Sequence, residues 1–380
     1  MSRINRDIPF SGPDILSQDI KAVQSVIESG WLAHGKFSKK LEELFCEYTG
    51  AKYSTTVSNC TAGLHLSCIA AGFQKGDEVI VPAQTHTATA HAVEFTGAKA
   101  VFADTDPLSA NITPENILDK ISPKTKGVIP VHMAGLACDM EAIAKICNEN
   151  NLMLIEDCAH AIGTTYQKKH VGNFGSTGNF SFYPTKQITT GEGGIVISNK
   201  EKIIEKIKKY KAFGINTPPE LRQRPGVYDV QGLGYNYRMT DFQAALGAGQ
   251  MERYDKNVQR RRENALLYCQ ILKDNKNIYF TKYTNEHSYF LFQIKLNNNI
   301  NRDSVVFGLK DKGIGFSIHY ATPVPLMSYY KNKYGYTKND FPNALEFAEK
   351  SISLPVHPKL RNDDIEYICE VLNIITKGTK

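Results

Sequence analysis

The strongest constraint on this chain of 380 residues is an apolar run that ends in charge: Leu152 to Ile155 lead directly into Glu156 and Asp157. Such a run reads as a buried parallel strand that delivers its last residues to the carboxyl edge of a sheet. In open α/β sheets that edge is where ligands bind. The pattern recurs along the first half of the chain. Tyr53 to Val57, Glu78 to Val81, Ala100 to Ala103, Gly127 to Val131 and Gly194 to Ser198 are further short apolar runs, with helical patterns at about 60–72 and 86–96. Strands alternating with helices predict an α/β fold whose mainly parallel sheet is covered by helices on both faces.

Around this series the periodicity predicts amphipathic helices at 14–29 and 36–48 and a strongly charged surface helix at 200–213. Residues 214–235 are rich in proline and glycine and read as an irregular loop. A continuous helical pattern then covers 240–273, opened by Thr240 with Gln243 as a capping box, and long enough to bend as it leaves the first domain. Beyond it, strands at 288–296 and 314–320 and helices at 302–312, 340–351 and 362–376 describe a smaller α+β domain. The expected division is a large domain, 1–250, and a small one, 251–380.

Lys186 follows a second strand-like run, Asn179 to Phe182, and sits in a polar, glycine-rich turn with Thr185, Thr189, Thr190 and Gly191. A lysine without a carboxylate neighbour can have its pKa lowered and attack a carbonyl. An acid and a lysine on two strands of one sheet are the pair that pyridoxal phosphate (PLP) requires, one at the ring nitrogen and one at the aldehyde. Taken singly, Asp157 reads rather as the cap of a helix starting at Cys158, and Lys186 as solvated surface.

Other stretches carry the same double reading. Ser58-Asn59-Cys60-Thr61-Ala62-Gly63 follows a strand and opens a helix, which suits an anion or an ordinary N-cap; Ser181 could meet the same phosphate. His86 stands at a strand-to-helix junction, where its ring could stack on another. Asn236 and Arg238, within Gly232 to Met239, could pair with a phosphate and a carboxylate, or lie in a solvated turn. His319 and Tyr320 end a run before a proline-containing loop. His86/His91 and Cys158/His160 lack zinc spacings, so no metal is expected. The net charge of +6 with no sustained basic block argues against nucleic acid and suits a small anionic substrate. A polar start, the absence of a run of roughly 20 apolar residues, and eight cysteines with no C-x-x-C pair lead to the expectation of a cytoplasmic protein with reduced thiols and no membrane span.

Together these stretches resemble the DegT/DnrJ/StrS family of PLP-dependent sugar aminotransferases, with the aspartate-aminotransferase-like fold. The likeness runs through Ser29-Gly30-Trp31-Leu32, Ser58-Asn59-x-Thr61, Gly76 to Pro82, Glu156 to Ala161, Phe180-Ser181-Phe182-x-Pro184-Thr185-Lys186, Gly191 to Gly194, Gly234 to Met239, His319-Tyr320 and Ser353-Leu354-Pro355. It implies Lys186 as Schiff-base lysine and acid–base, and Asp157 as partner of the pyridinium. Thr61, Ala62 and Ser181 would form the phosphate cup, with Asn236 completing it from the neighbouring subunit of a homodimer with shared active sites. His86 would lie over one ring face and Ala159 under the other. His160, where many members carry Gln, would lie close to the ring hydroxyl, and Trp31, Arg238, His319 and Tyr320 near the substrate. Lys rather than His at position 186 implies transamination, with glutamate as donor and a keto sugar as acceptor, most often nucleotide-linked and destined for surface polysaccharide. A small phosphorylated ketone such as dihydroxyacetone phosphate, or a keto-inositol, is the alternative acceptor. A non-catalytic PLP-binding scaffold is the rival of another class. A nicotinamide-dependent oxidoreductase would need a G-x-G-x-x-G turn that the chain lacks.

Overall fold

The computed structural model describes residues 7–215, 224 and 226–378. Two amphipathic helices come first, α1 (Ser17–Ser29) and α2 (Lys36–Thr49), each closed by a glycine in the left-handed region, Gly30 (φ 70°) and Gly50 (φ 72°). The alternating part follows: β1 (Tyr53–Val57), α3 (Cys60–Ala71), β2 (Glu78–Pro82), α4 (Thr87–Glu94), β3 (Lys99–Ala103), α5 (Pro114–Leu118), β4 (Thr125–Val128), α6 (Met140–Glu149) and β5 (Met153–Asp157). A small hairpin, β6 (Thr165–Tyr166) and β7 (Lys169–His170), precedes β8 (Thr177–Ser181), β9 (Gly194–Ser198) and α7 (Glu201–Tyr210).

The seven long strands form one sheet in the order β1-β9-β8-β5-β4-β2-β3. All pairings are parallel except those of β9, which runs antiparallel to both β8 and β1. The expected α/β class holds. Both faces are covered, and the strand period of two divides them: Val79 and Val81 pack with Leu64, Ala90 and Val93 on one face, whereas Ile80 packs with Ile117, Met140 and Ile143 on the other. Helix α3 is buried over most of its length. At Gly63 a Cβ would stand 2.9 Å from Val196 Cγ2, so glycine is what lets this helix lie close on the sheet.

The continuous helix expected over 240–273 is two helices, α8 (Asp241–Met251) and α9 (Tyr254–Leu272). The capping box at Thr240 and Gln243 is present. The break falls at Glu252 and Arg253, where the Arg253 guanidinium donates to Asp19 Oδ1 (2.9 Å), Asp19 Oδ2 (2.6 Å), Asp14 O (2.5 Å) and Gly249 O (2.6 Å). Tertiary bonds to the N-terminal segment override the helical periodicity there.

The rest comprises β10 (Ile278–Tyr279), β11 (Phe292–Leu296), α10 (Arg302–Asp311), α11 (Ser328–Tyr334), α12 (Pro342–Lys350), β12 (Ser351–Leu354) and α13 (Asn362–Gly378). The three strands form an antiparallel sheet in the order β10-β11-β12, packed with α9, α10 and α13 around Tyr268, Leu272, Ile294, Leu309, Ile352 and Ile368. The strand expected at 314–320 is absent. Only Ile314 and Ser317 make bridges, to Ile8 and Ser353, because each neighbour runs alongside for a single residue. The strands expected from 288 and through Val131 are shorter, starting at Phe292 and ending at Val128, ahead of Pro130. The charged helix expected at 200–213 ends at Tyr210 and is not all surface, since Ile204 and Ile207 are buried. Most of the proline-rich part of the 214–235 loop lies outside the described residues. The N-terminal strip is sewn to the distal part of the chain: Ile8 exchanges bonds with Gly313 and Gly315 at 2.8 Å each, and Lys359 Nζ donates to Pro13 O (2.7 Å).

Candidate active site

At the carboxyl edge of the large sheet lies a cavity of about 780 Å³, lined among others by Thr61, Ala62, His86, Asp157, Ala159, His160, Ser181, Lys186, His319 and Tyr320. Ten of the thirteen residues singled out from the sequence are thus brought together. The sheet order explains it, since β5 and β8 are neighbours and carry Asp157 and the run leading to Lys186. Trp31, Asn236 and Arg238 do not line the cavity. Trp31 is 67% exposed, and Asn236 and Arg238 are exposed and bonded to each other, Arg238 Nε to Asn236 Oδ1 at 3.2 Å. Their segment nevertheless passes beside the cavity, because Ser58 N donates to Tyr237 O (2.8 Å) and Tyr237 is part of the lining.

Asp157 is buried. Its Oδ2 accepts from Thr89 Oγ1 (2.8 Å) and its Oδ1 from the Ala159 N–H (3.1 Å). Burial pushes its carboxyl up from the usual range, while those two hydrogen bonds pull the other way. A carboxylate in this state gains from a positively charged partner. Thr89 in turn is bonded to Thr85 (2.9 Å); because Thr89 spends its proton on Asp157, Thr85 is the donor. Sequence reasoning missed this brace, although Thr85 and Thr89 sit one helical turn apart at the same strand-to-helix junction as His86.

Lys186 reaches the cavity with Nζ 4.6 Å from the centre of the Phe290 ring, and among the described residues its ammonium has no hydrogen bond or ion pair. Burial lowers its pKa to about 8, with Cys60 and Asp157 opposing the shift. Near neutral pH roughly a tenth of such an amine is uncharged and nucleophilic. Phe290 carried no signal in the sequence.

The start of α3 supplies the anion end. Asn59 caps the helix, its Oδ1 accepting from the Ala62 N–H at 2.8 Å. Of the two backbone groups expected in the cup, Ala62 is therefore already engaged. Thr61 in the first turn and Ser181, whose oxygen accepts from Tyr183 N (3.4 Å), remain on the cavity wall. Gly194 makes the close approach possible: a Cβ there would meet Asn59 C and Cys60 N at 2.8 Å. His86 caps α4 through Nδ1 (3.2 Å to Ala88 N), and burial lowers its pKa, leaving a neutral ring at the cavity. Cys60 also lines the wall, but burial pushes its thiol well up, so it is no nucleophile.

One further buried trio, His132, Glu156 and Cys158, brings ligand-type atoms within 4.8 Å of one another, a grouping neither histidine spacing revealed. Its histidine and its carboxylate are committed within the chain. Glu156 accepts from the N–H groups of Gly172, Phe174 and Gly175 at 2.7 Å each and from His132 Nε2 at 3.2 Å. It braces the turn before β8.

The donor set fits pyridoxal phosphate: a lysine without a hydrogen-bond or ion-pair partner among the described residues, a buried acid raised by its surroundings, and an open helix N-terminus beside a serine hydroxyl. The comparisons with known proteins agree. The DegT/DnrJ/EryC1/StrS aminotransferase family model matches residues 13–373. The chain is 36% identical over 383 residues to the spore coat polysaccharide biosynthesis protein SpsC of Bacillus subtilis, covering 98% of each chain. It is also 36% identical over 375 residues to GDP-perosamine synthase of Escherichia coli O157:H7, covering 96% of this chain and 98% of that one. The PLP form of the putative sugar aminotransferase Spr1654 from Streptococcus pneumoniae superposes with a TM-score of 0.92 at 28% identity, covering 99% of this chain and all of that one. The chain belongs to the DegT/DnrJ/EryC1/StrS aminotransferase family and is a PLP-dependent sugar aminotransferase.

Proposed function

We propose that this aminotransferase moves an amino group from L-glutamate to a nucleotide-linked keto sugar for surface polysaccharide. The observation that carries the catalytic part is the juxtaposition, in one cavity, of the unpartnered Lys186 amine, the buried Asp157 carboxylate and the α3 N-terminus. Pyridoxal phosphate, when bound, supplies the ring that withdraws negative charge from the substrate carbon. In this reading Thr61 and Ser181 hold its phosphate, His86 and Ala159 flank its ring, and Asp157 holds a proton at the ring nitrogen. Lys186 would hold the aldehyde carbon until the amino donor displaces it, and the freed amine would then take a proton from the substrate carbon and return it to the cofactor carbon, a task suited to an amine whose pKa lies at about 8.

The sugar acceptor draws support from GDP-perosamine synthase and the spore coat protein, and its nucleotide link from the former. The volume of the cavity leaves room beside the cofactor, and the chain's charge of +6 favours an anionic acceptor. We assign Asn236 to the cavity of a second copy. Its side chain lies outside its own cavity, and apolar side chains are bare at Leu233 (84% exposed), three residues before it, and at Trp31 (67%), whose neighbour Leu32 accepts from Asp241 N. All eight cysteines are unpaired, which fits a reducing compartment, and among the described residues no helix is long and apolar enough to cross a membrane.

The test is spectroscopic. Purified protein given PLP is expected to absorb at about 410–430 nm, and glutamate should move that band toward the ultraviolet. Transfer to a panel of nucleotide-linked keto sugars, dihydroxyacetone phosphate and keto-inositols then identifies the acceptor. A band that no amino donor shifts would instead support the scaffold reading.

A further inference from the structure

His160 stands on the cavity wall with a bonding partner at each ring nitrogen. Its Nδ1 accepts from the Ala134 N–H (3.4 Å), and its Nε2 lies 3.2 Å from the Tyr320 hydroxyl. A neutral imidazole has one donor and one acceptor. With Nδ1 accepting, Nε2 carries the proton and gives it to the Tyr320 oxygen. Both His160 nitrogens are then used inside the chain, and the phenol keeps its own proton to place elsewhere.

Tyr320 has its backbone held from two sides. Gln84 Nε2 donates to its carbonyl (2.8 Å) and Gln293 Nε2 to that of His319 (3.1 Å). Its ring lies nearly parallel to His160 and edge-on to His86, on the cavity wall. Burial lowers the pKa of His160 and raises that of Tyr320, which keeps the imidazole neutral and the phenol protonated.

Which oxygen receives the proton follows from the sheet order. Ser181 on β8 and the Gly194–Asn59 contact lie on one side of β5, whereas Ala134, which anchors His160, follows β4 on the other. The His160–Tyr320 pair therefore stands across Asp157 from the anion end. A pyridoxal ring with its phosphate at α3, its nitrogen at Asp157 and its aldehyde carbon toward Lys186 presents one further polar substituent on that side, the phenolic oxygen. We infer that Tyr320, not His160, donates the hydrogen bond to this ring oxygen. The inference rests on the cofactor placement proposed above.

The experiment uses the PLP-loaded enzyme and its Tyr320→Phe, His160→Gln and His160→Leu variants, with the pH titration of the visible band as readout. A donor stabilises the deprotonated oxygen, so its loss should raise the apparent pKa of that titration by about one unit in Tyr320→Phe and weaken PLP binding about tenfold. His160→Gln, whose amide N–H can donate to the same phenol oxygen, should titrate like wild type, and His160→Leu should move part of the way. A Tyr320→Phe titration matching wild type overturns the inference. If the KM for the keto acceptor rises instead, the phenol serves the substrate; if neither changes, the pair is structural. Wild-type protein that shows no visible band with PLP defeats the cofactor reading itself, a separate result. Melting temperatures within a few degrees of wild type show that the variants fold.

Discussion

Lys186 and Lys211 are two lysines that burial has treated alike and the rest of the fold has not. Desolvation lowers the pKa of each to about 8. Lys211 is sealed in, with Nζ donating to Thr55 Oγ1 (2.6 Å) and Thr56 O (2.7 Å) and 3.8 Å from Glu42 Oε1. Glu42 in turn accepts from Thr56 N (2.7 Å) and Thr56 Oγ1 (2.9 Å). Lys186 has a ring face instead of acceptors. The lesson is that desolvation alone does not mark a reactive amine. A lysine surrounded by acceptors braces the structure, whereas one denied them is left with chemistry to do.

The comparison can be broken most sharply at Lys186. Lys186→Ala should cut turnover by at least about four orders of magnitude while the cofactor-free protein still unfolds in one cooperative transition; activity within tenfold of wild type would remove the lysine from the reaction. Asp157→Asn should still bind PLP but slow the glutamate half-reaction by about 10³, read in single-turnover kinetics. Near-normal rates would make the acid a cap and nothing more. Lys211→Met should do the converse, lowering stability by about 2–4 kcal/mol because Glu42 and Thr56 O lose their buried cation. Urea unfolding measures this, and a loss below about 1 kcal/mol would dissolve the distinction between the two lysines. Asn236→Ala should weaken PLP binding about tenfold. Mixed dimers of Asn236→Ala and Lys186→Ala chains would recover one sound site only if Asn236 serves the opposite subunit's cavity.

A further effect is on pH. The folded Lys186 amine sheds its proton at about 8, against 10.5 for the ordinary side chain. Between those values the unfolded chain holds a proton that the folded chain has lost, so cofactor-free wild type should gain stability as pH rises through that window. Below about 8 the cost of burying the charge is fully present. Lys186→Met should show a flatter stability profile over the same range, and parallel profiles would mean that the amine is well solvated.

Asp157 and Lys186 were legible because each follows an apolar run that stops abruptly, and the order of such runs reveals the sheet edge. Thr89 was not, since its role exists only once α4 is laid across the end of β5. Phe290 lies 104 residues beyond Lys186 in the chain, and no local pattern joins them. The break at Arg253 escaped for a related reason: the periodicity around it is helical, and its cause, the bonds to Asp14 and Asp19, lies more than 230 residues away. Strand β12 was missed because Lys350 passes into Ser351 with no turn residue between α12 and the strand. The expectation of a strand at 314–320 failed because β propensity calls for a neighbour, and Ile8 and Ser353 each offer one residue only.

The strip around Ile8 that pairs with Gly313 and Gly315 has a consequence for how the chain is made. It precedes its seat in the chain by some three hundred residues, so the pairing can form only once that seat has been translated. Until then it has no segment there to pair with. A fusion placed before it would therefore load the segment around Gly313 and Gly315, far beyond Lys186 in the chain.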